Sequence, residues 1–252
     1  MSTVSYKGTI WVSKHKEFDP SLLRLLTSKD RLIVLRHGKP PYRVTFGVPH
    51  QAKVGVEYIC DKGEKRPSGE NAASYALVAF FILKEHDIPC KLVIAAQSTT
   101  KDPNKDSETP YWEEIFQNDT KLLFECHGLG EDKKLDLELS AGPNDTTDTK
   151  KYGQFLASAL NNLCDLGVQK EAGKDDAIIY RKDGTKDLKD RLQKPGNETG
   201  SLIEARKKKL PSLHLEAKPR FRIPGDQSNT VTPDGLILGQ ALAGVIIKSS
   251  SQ

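Results

Sequence analysis

The chain has 252 residues, 37% hydrophobic and 29% charged, which is enough apolar material for a sizeable core and excludes wholesale disorder. Its net charge of +4 is too small to indicate nucleic-acid binding by itself, and 19 Gly and 14 Pro exclude collagen-like and low-complexity classes. The four cysteines lie far apart with no CxxC pair, which excludes a zinc ribbon and a disulfide-stapled miniprotein. We expect one domain over residues 1–252.

The pattern of apolar residues favours a soluble protein. Residues 1–19 carry several charges and contain no continuous apolar segment of the kind that a signal peptide has. The longest apolar run, residues 72–83, has about 12 residues, whereas a membrane-spanning helix needs about 20. We therefore predict a cytoplasmic protein without a membrane partner.

The first predicted elements form a strand–helix–strand unit. Residues 31–36 are a short apolar run typical of a buried strand, and the β-branched and aromatic residues 42–48 predict a second strand. His50 follows the second strand. An Ala-rich helix over residues 69–86 and a third strand over 90–96 come next. A βαβ order favours parallel strands joined by a right-handed crossover.

The rest of the chain continues the alternation of strands and helices. A fourth strand, residues 121–126, ends at His127 and Gly128. The other predicted elements are helices at 110–117, 150–166 and 235–247 and strands at 177–180 and 212–217. Together they predict an α/β fold with a mixed, mainly parallel sheet that is flanked by helices.

Residues 182–222 are basic, with 12 Lys or Arg against 6 Asp or Glu, and Lys207–Lys209 is the densest part. A solvated helix end or a lid explains this composition better than a nucleic-acid patch does. Nucleic acid is therefore a disfavoured partner.

Chemistry-bearing residues follow the predicted strands. His50, His127 and Glu216 lie at or near strand ends, and Glu70 falls in the first turn of the helix that follows His50. Ligands of open α/β sheets bind at the carboxyl ends of the strands. Two imidazoles and a carboxylate are a common ligand set for catalytic zinc, and a further carboxylate can act as general base.

Three short segments carry a resemblance to a known group of enzymes: Val-Pro-His ending at His50, Ser-Gly-Glu-Asn at 68–71, and Phe-Glu-Cys-His-Gly at 124–128. They resemble the metal-site segments of zinc-dependent N-formylglutamate amidohydrolases and N-acetylmuramoyl-L-alanine amidases. Ser-Leu-His-Leu-Glu, ending at Glu216, is similar to the late strand that carries the catalytic glutamate of the amidases. The resemblance implies a zinc-exopeptidase-like (phosphorylase/hydrolase-like) fold and cleavage of amide bonds.

Residue by residue, the resemblance implies that His50, Glu70 and His127 bind Zn²⁺ and that Glu216 is the general base. The loop between His50 and Glu70 is longer than in the amidases, so Glu57 or Glu64 are alternatives to Glu70. No secretion signal is recognisable, which argues against a periplasmic cell-wall amidase.

Two arginines complete the predicted site. Arg220 and Arg222 follow Glu216 at alternating positions, and an arginine fork matches the carboxylate of an acyl-amino-acid or peptide-like substrate. Surface ion pairs are the plainer explanation for both. Glu125 and His214 are further candidates for supporting contacts.

Motifs of other enzyme classes are missing from the sequence. It contains no GxGxxG, Walker-type, GxSxG or HExxH motif. Cys126 precedes His127, but neighbours on a strand point to opposite faces, so a Cys–His catalytic pair is excluded. Three functions remain. The first is a zinc-dependent amide hydrolase of a small or peptide-like substrate, and the second is a non-catalytic binding or scaffold protein with the same fold and no metal. The third and weakest is a nucleic-acid binder that uses residues 182–222.

Overall fold

The computed structural model describes residues 2–5, 20–56, 69–98, 101–131, 137–140, 152, 200–226 and 230–250. The strands are β1 (Ser2–Ser5), β2 (Arg31–His37), β3 (Val44–Gln51), β4 (Cys90–Ala96), β5 (Leu123–Gly128), β6 (Leu137–Ser140) and β7 (Ser212–Ala217). The α-helices are α1 (Pro20–Leu26), α2 (Ala73–Glu85), α3 (Pro110–Ile115), α4 (Gly200–Lys207) and α5 (Pro233–Ser250).

Within these residues the strands form one sheet in the order β1-β2-β4-β3-β5-β7-β6. The four central strands, β4, β3, β5 and β7, are parallel, whereas β2 and β6 pair antiparallel with their inner neighbours. The unit β3-α2-β4 joins adjacent parallel strands, as predicted. The predicted α/β fold with a mixed, mainly parallel sheet flanked by helices is confirmed.

The element boundaries differ from the prediction at the two places that matter for the site. Strand β3 runs through His50, which therefore lies inside the strand end and not beyond it. Helix α2 begins at Ala73, so Glu70 precedes the helix and the prediction that it occupies the first turn is wrong. The predicted strand at 177–180 lies outside the described residues, as does the helix at 150–166 except for Tyr152.

The two faces of the sheet bury different kinds of residue. One face packs on α2 and α5 through an apolar core that includes Phe46, Phe124 and Leu215. The other face packs on α3 and α4 through a smaller core around Val93 and Leu123. Because side chains alternate between faces along a strand, the polar residues of β5 and β7 share this second face. The fold thus holds a polar patch beneath α3 and α4.

Close packing of α2 against α5 depends on a glycine. A Cβ atom at Gly239 would overlap the side chain of Val78, whereas Gly244, in the same helix, has open space around it. We expect Gly239→Ala to lower the free energy of unfolding by about 1–3 kcal/mol through overpacking. Gly244→Ala should raise it by about 0.5–1 kcal/mol, since alanine is the better helix former. Denaturant unfolding of both variants checks the pair, and equal effects would contradict the packing.

No helix within the described residues combines the length and apolarity needed to cross a membrane.

Candidate metal centre

Three histidine rings meet at the carboxyl edge of the parallel strands. His50 lies at the end of β3, His127 at the end of β5, and His214 within β7. The ring centroid of His127 lies 5.2 Å from that of His50, in an edge-on arrangement, and 4.1 Å from that of His214, in a stacked one. His127 is therefore the centre of the cluster, and the predicted meeting of His50 and His127 is observed.

Strand register explains the rest of the cluster. In the β5–β7 pair, Glu125 is the partner of His214 and His127 is the partner of Glu216. Residues two apart on a strand share a face, so these four side chains lie together on the face that α3 and α4 cover. Cys126 points to the opposite core, as predicted.

Glu125 is a buried carboxylate beneath the histidines. Its exposed fraction is 0%, and it accepts hydrogen bonds from the Tyr111 hydroxyl (3.3 Å) and the Ser201 hydroxyl (2.5 Å). Its Oε2 atom also lies 3.6 Å from Nε2 of His127 and 3.8 Å from Nδ1 of His214. Helix α3 supplies the tyrosine and helix α4 the serine, so both covering helices hold this carboxylate in place.

A second carboxylate orients His50. Nε2 of His50 lies 2.8 Å from Oδ1 of Asp102, and both side chains are largely buried. Asp102 also accepts a hydrogen bond from the backbone N–H of Asn104, which fixes the carboxylate in its loop. A histidine that donates Nε2–H to a carboxylate carries its lone pair on Nδ1, and metal-binding histidines are oriented in this way.

Burial sets the protonation of the cluster. Burial and, after it, the neighbouring His214 together lower the pKa of His127 to about 4, against the opposing effect of Glu125. Burial by itself raises the pKa of Glu125, but its interactions with His127 and His214 outweigh burial and hold that pKa below its usual range. At neutral pH, His127 is therefore a neutral imidazole beside an ionised carboxylate.

The donor atoms fit a metal ion. Among the described residues, Glu125, His127 and His214 have ligand atoms that all lie within 4.8 Å of one another. Nε2 of His127 and Nδ1 of His214 are buried and make no hydrogen bond, and both face the same carboxylate oxygen. Two ligands about 2 Å from a tetrahedral zinc ion lie roughly 3.3 Å apart, close to the separations observed. Imidazole and carboxylate donors suit zinc.

Glu70 lies beside the cluster without joining that triplet. It forms an isolated β-bridge with Ala52, two residues beyond His50, and the close approach of Gly69 to the His50 carbonyl permits this pairing. Its carboxylate accepts a hydrogen bond from the backbone N–H of Gly55 at 3.3 Å. The ligand role of Glu70 stays a prediction. The alternatives, Glu57 and Glu64, lie outside the described residues.

Glu216 lies beside His127 and His214 on the same face of the sheet. Its backbone pairs with His127, and its Oε1 atom is 3.1 Å from Nε2 of His214. The side chain is 27% exposed, whereas that of Glu125 is fully buried. Of these two carboxylates, Glu216 is thus the one accessible to water.

The two predicted substrate-binding arginines have different surroundings. Arg222 is 1% exposed and donates to the backbone carbonyls of Ala217, Leu129 and Glu70. Its guanidinium joins the end of β7 to the segment after β5 and the segment before α2, and this placement argues against the predicted contact with substrate. Arg220 lies over the ring of Phe221, with Nε 3.1 Å from Asp234, and its side chain is 35% exposed.

Sequence reasoning missed the residues that support the histidines. Asp102 lies in a polar loop, Tyr111 in a short helix and Ser201 at the start of α4, and none stands in a recognisable motif. One signal was available for Asp102, since its loop follows β4 at the carboxyl edge of the sheet, where site residues collect.

Comparisons with known proteins show a likeness of fold. No protein-family model matches the chain, and no curated protein matches it in sequence. The crystal structure of an N-formylglutamate amidohydrolase from Ralstonia eutropha JMP134 matches with a TM-score of 0.51 and 12% identity, over 87% of this chain and 97% of that one. At this identity the likeness concerns the fold alone.

Two further structures are similar at lower scores. A metallo-carboxypeptidase from Burkholderia cenocepacia matches with a TM-score of 0.48 and 15% identity, over 88% of this chain and 62% of that one. The N-acetylmuramoyl-L-alanine amidase AmiC2 of Nostoc punctiforme matches with a TM-score of 0.43 and 15% identity, over 85% and 100%.

Proposed function

We propose that the protein is a zinc-dependent hydrolase of amide bonds whose metal centre includes His127. The observation that carries this proposal is the pair of buried imidazole nitrogens, on His127 and His214, that make no hydrogen bond and face one carboxylate oxygen of Glu125. A buried polar atom without a partner is costly, and a bound cation removes that cost.

Two ligand sets contain His127. The sequence predicts His50, Glu70 and His127, and the orientation of His50 by Asp102 supports its share in that set. The geometry offers Glu125, His127 and His214. If the first set binds the metal, Glu125 and His214 would hold the ligands in position. If the second set binds it, His50 would lie beside the metal without binding it.

The reaction follows from the placement of Glu216. A zinc ion bound at His127 would supply a Lewis acid and lower the pKa of a water molecule. Glu216, partly exposed and in register with His127, takes the proton from the attacking water and delivers it to the leaving amine. His214, 3.1 Å away, orients that carboxylate by donating to Oε1.

The proposed substrate is an N-acyl amino acid or a peptide-like amide. The fold shared with an N-formylglutamate amidohydrolase supports this class, and so does Arg220, whose guanidinium is partly exposed three residues beyond the end of β7. We propose Arg220 as the residue that contacts a substrate carboxylate.

Metal analysis of the purified protein tests the proposal. We expect about one zinc per chain and hydrolysis of N-formylglutamate or related N-acyl amino acids. Chelation should abolish hydrolysis, and added Zn²⁺ should restore it, whereas Mg²⁺ should not, because imidazole ligands disfavour it.

The alternative is a binding or scaffold protein that uses the same fold without a metal. That function predicts no bound metal after purification, no gain in thermal stability on adding Zn²⁺, and no hydrolysis of any amide in the panel.

A further inference from the structure

A concave site lies at the edge of the sheet opposite the histidine cluster. A cavity of about 460 Å³ opens between the segment that leads into β5 and the segment that leads into β7. Its walls are Ile115, Phe116, Asn118, Thr120, Lys121, Lys208, Lys209, Leu210 and Pro211. Lys121 and His127 are six positions apart along an extended segment, roughly 20 Å, so this groove is separate from the histidine cluster.

The groove combines an apolar floor with positive charge. Phe116 is only 8% exposed, and Ile115 and Leu210 pack in the same small core. Lys208 lies over the Phe116 ring, with Nζ 6.0 Å from the centroid. A flat apolar group that stacked on this floor would have cations around its edge.

Among the described residues, two of the three lysines of the groove lack an acidic partner. Asp119 binds Lys91 at 2.7 Å, and Glu204 pairs with Lys207 at 3.5 Å and with the groove lysine Lys208 at 3.7 Å. Within the described part of the chain, neither Lys121 nor Lys209 has an ion-pair partner. Walls of one sign around a low-dielectric floor concentrate the field and attract anions.

Lys209 occupies a position that suits glycine better. Its φ is 55°, in the left-handed region, directly after α4. The N–H of Leu210 donates to the Ala205 carbonyl at 2.9 Å, which closes the helix in the way that normally places glycine here. A lysine in this conformation costs stability, and Lys209 is one of the residues that line the groove.

We propose that this groove binds a small organic anion in which a phosphate or carboxylate group is joined to a flat apolar body. The lysines Lys121, Lys208 and Lys209 contact the anionic group, and Phe116 contacts the apolar body. The size of the cavity suits a ligand of mononucleotide dimensions. The proposed hydrolysis does not explain the lysines around residues 207–209, whereas an anion site does.

Binding measurements on the full chain test this site. The probes are AMP, which carries a phosphate, and indole-3-acetate, which carries a carboxylate, each titrated by calorimetry. AMP is also titrated by tryptophan fluorescence, since the ring of Trp112 lies 5.2 Å from that of Phe116. Adenosine and inorganic phosphate supply the two halves separately. We expect at least one of the organic anions to bind saturably and more tightly than either half.

Lys209→Gly is the decisive variant. It removes one charge and the left-handed strain together, so we expect the denaturation midpoint to stay or rise while the affinity for the anion falls by up to about fivefold. Adding Lys121→Ala should weaken binding further. Lys207→Ala is the matched control, because Lys207 is exposed on the same helix and does not line the cavity. Zinc content should be unchanged throughout.

Three results would overturn the site. The first is that neither organic anion binds saturably, and the second is that Lys207→Ala and Lys209→Gly weaken binding equally. The third is that a single-stranded oligonucleotide binds more tightly than AMP, which would make the groove part of a nucleic-acid surface. None of them bears on the metal centre, so the two proposals fail separately.

Discussion

Replacement of Glu216 by glutamine should lower the rate of amide hydrolysis by about 10²- to 10⁴-fold, the usual contribution of general acid–base catalysis. Glutamine keeps the shape of the side chain and can still accept from His214, 3.1 Å away in the wild-type protein. It cannot take a proton from water. The metal should stay bound at about one ion per chain, because neither ligand set includes Glu216.

The matched control is Glu204→Gln on α4. Among the described residues, the Glu204 carboxylate pairs only with Lys207 and Lys208. Its activity should equal that of the wild type. Loss of zinc from the Glu216 variant would make this residue a ligand, and unchanged hydrolysis would remove it from the mechanism.

Replacement of His127 by alanine should abolish metal binding and hydrolysis together. His127 belongs to both ligand sets and lies between the rings of His50 and His214. Loss of a supporting partner typically costs 10- to 100-fold in metal affinity, so loss of a ligand should cost at least about 100-fold. Metal content after dialysis and a zinc titration measure the effect, and His86→Ala, at the exposed end of α2, is the control. Retention of stoichiometric zinc would move the centre away from His127.

Paired variants then separate the two ligand sets. If His50, Glu70 and His127 bind the metal, His50→Gln and Glu70→Gln should lose zinc while His214→Gln retains most of it. If Glu125, His127 and His214 bind it, His214→Gln should lose zinc while His50→Gln and Glu70→Gln retain most of it. Glu125 is a poor first choice for mutation, since Tyr111 and Ser201 both depend on it and the variant could unfold for that reason alone.

The polar network under the site has a further consequence for the fold. Ser201 and Tyr111 tie α4 and α3 to Glu125, while Arg222 ties the segment after β7 to the carbonyls of Leu129 and Glu70. These contacts hold the ends of β3, β5 and β7 in one arrangement. Rigid support of this kind keeps catalytic groups within a few tenths of an ångström of their working positions.

Local pattern by itself determined the elements that build the site. The apolar runs predict the strands β2, β3, β4 and β5, because a strand buried on both faces needs continuous hydrophobic sequence. Parallel strands end at one edge, so His50 and His127 could be placed together from the sequence. The alternation of side chains likewise put His214 and Glu216 on one face.

Only the tertiary structure decided how these residues are held. Asp102 meets His50 across 52 residues, and Ser201 meets Glu125 across 76. Arg222, predicted to contact substrate, instead donates to three backbone carbonyls. Periodicity reports which way a side chain points within its own element, whereas these contacts depend on the order of strands in the sheet and on which helix covers which face. Strand order and helix placement are set by contacts between distant parts of the chain, so no local segment predicts them.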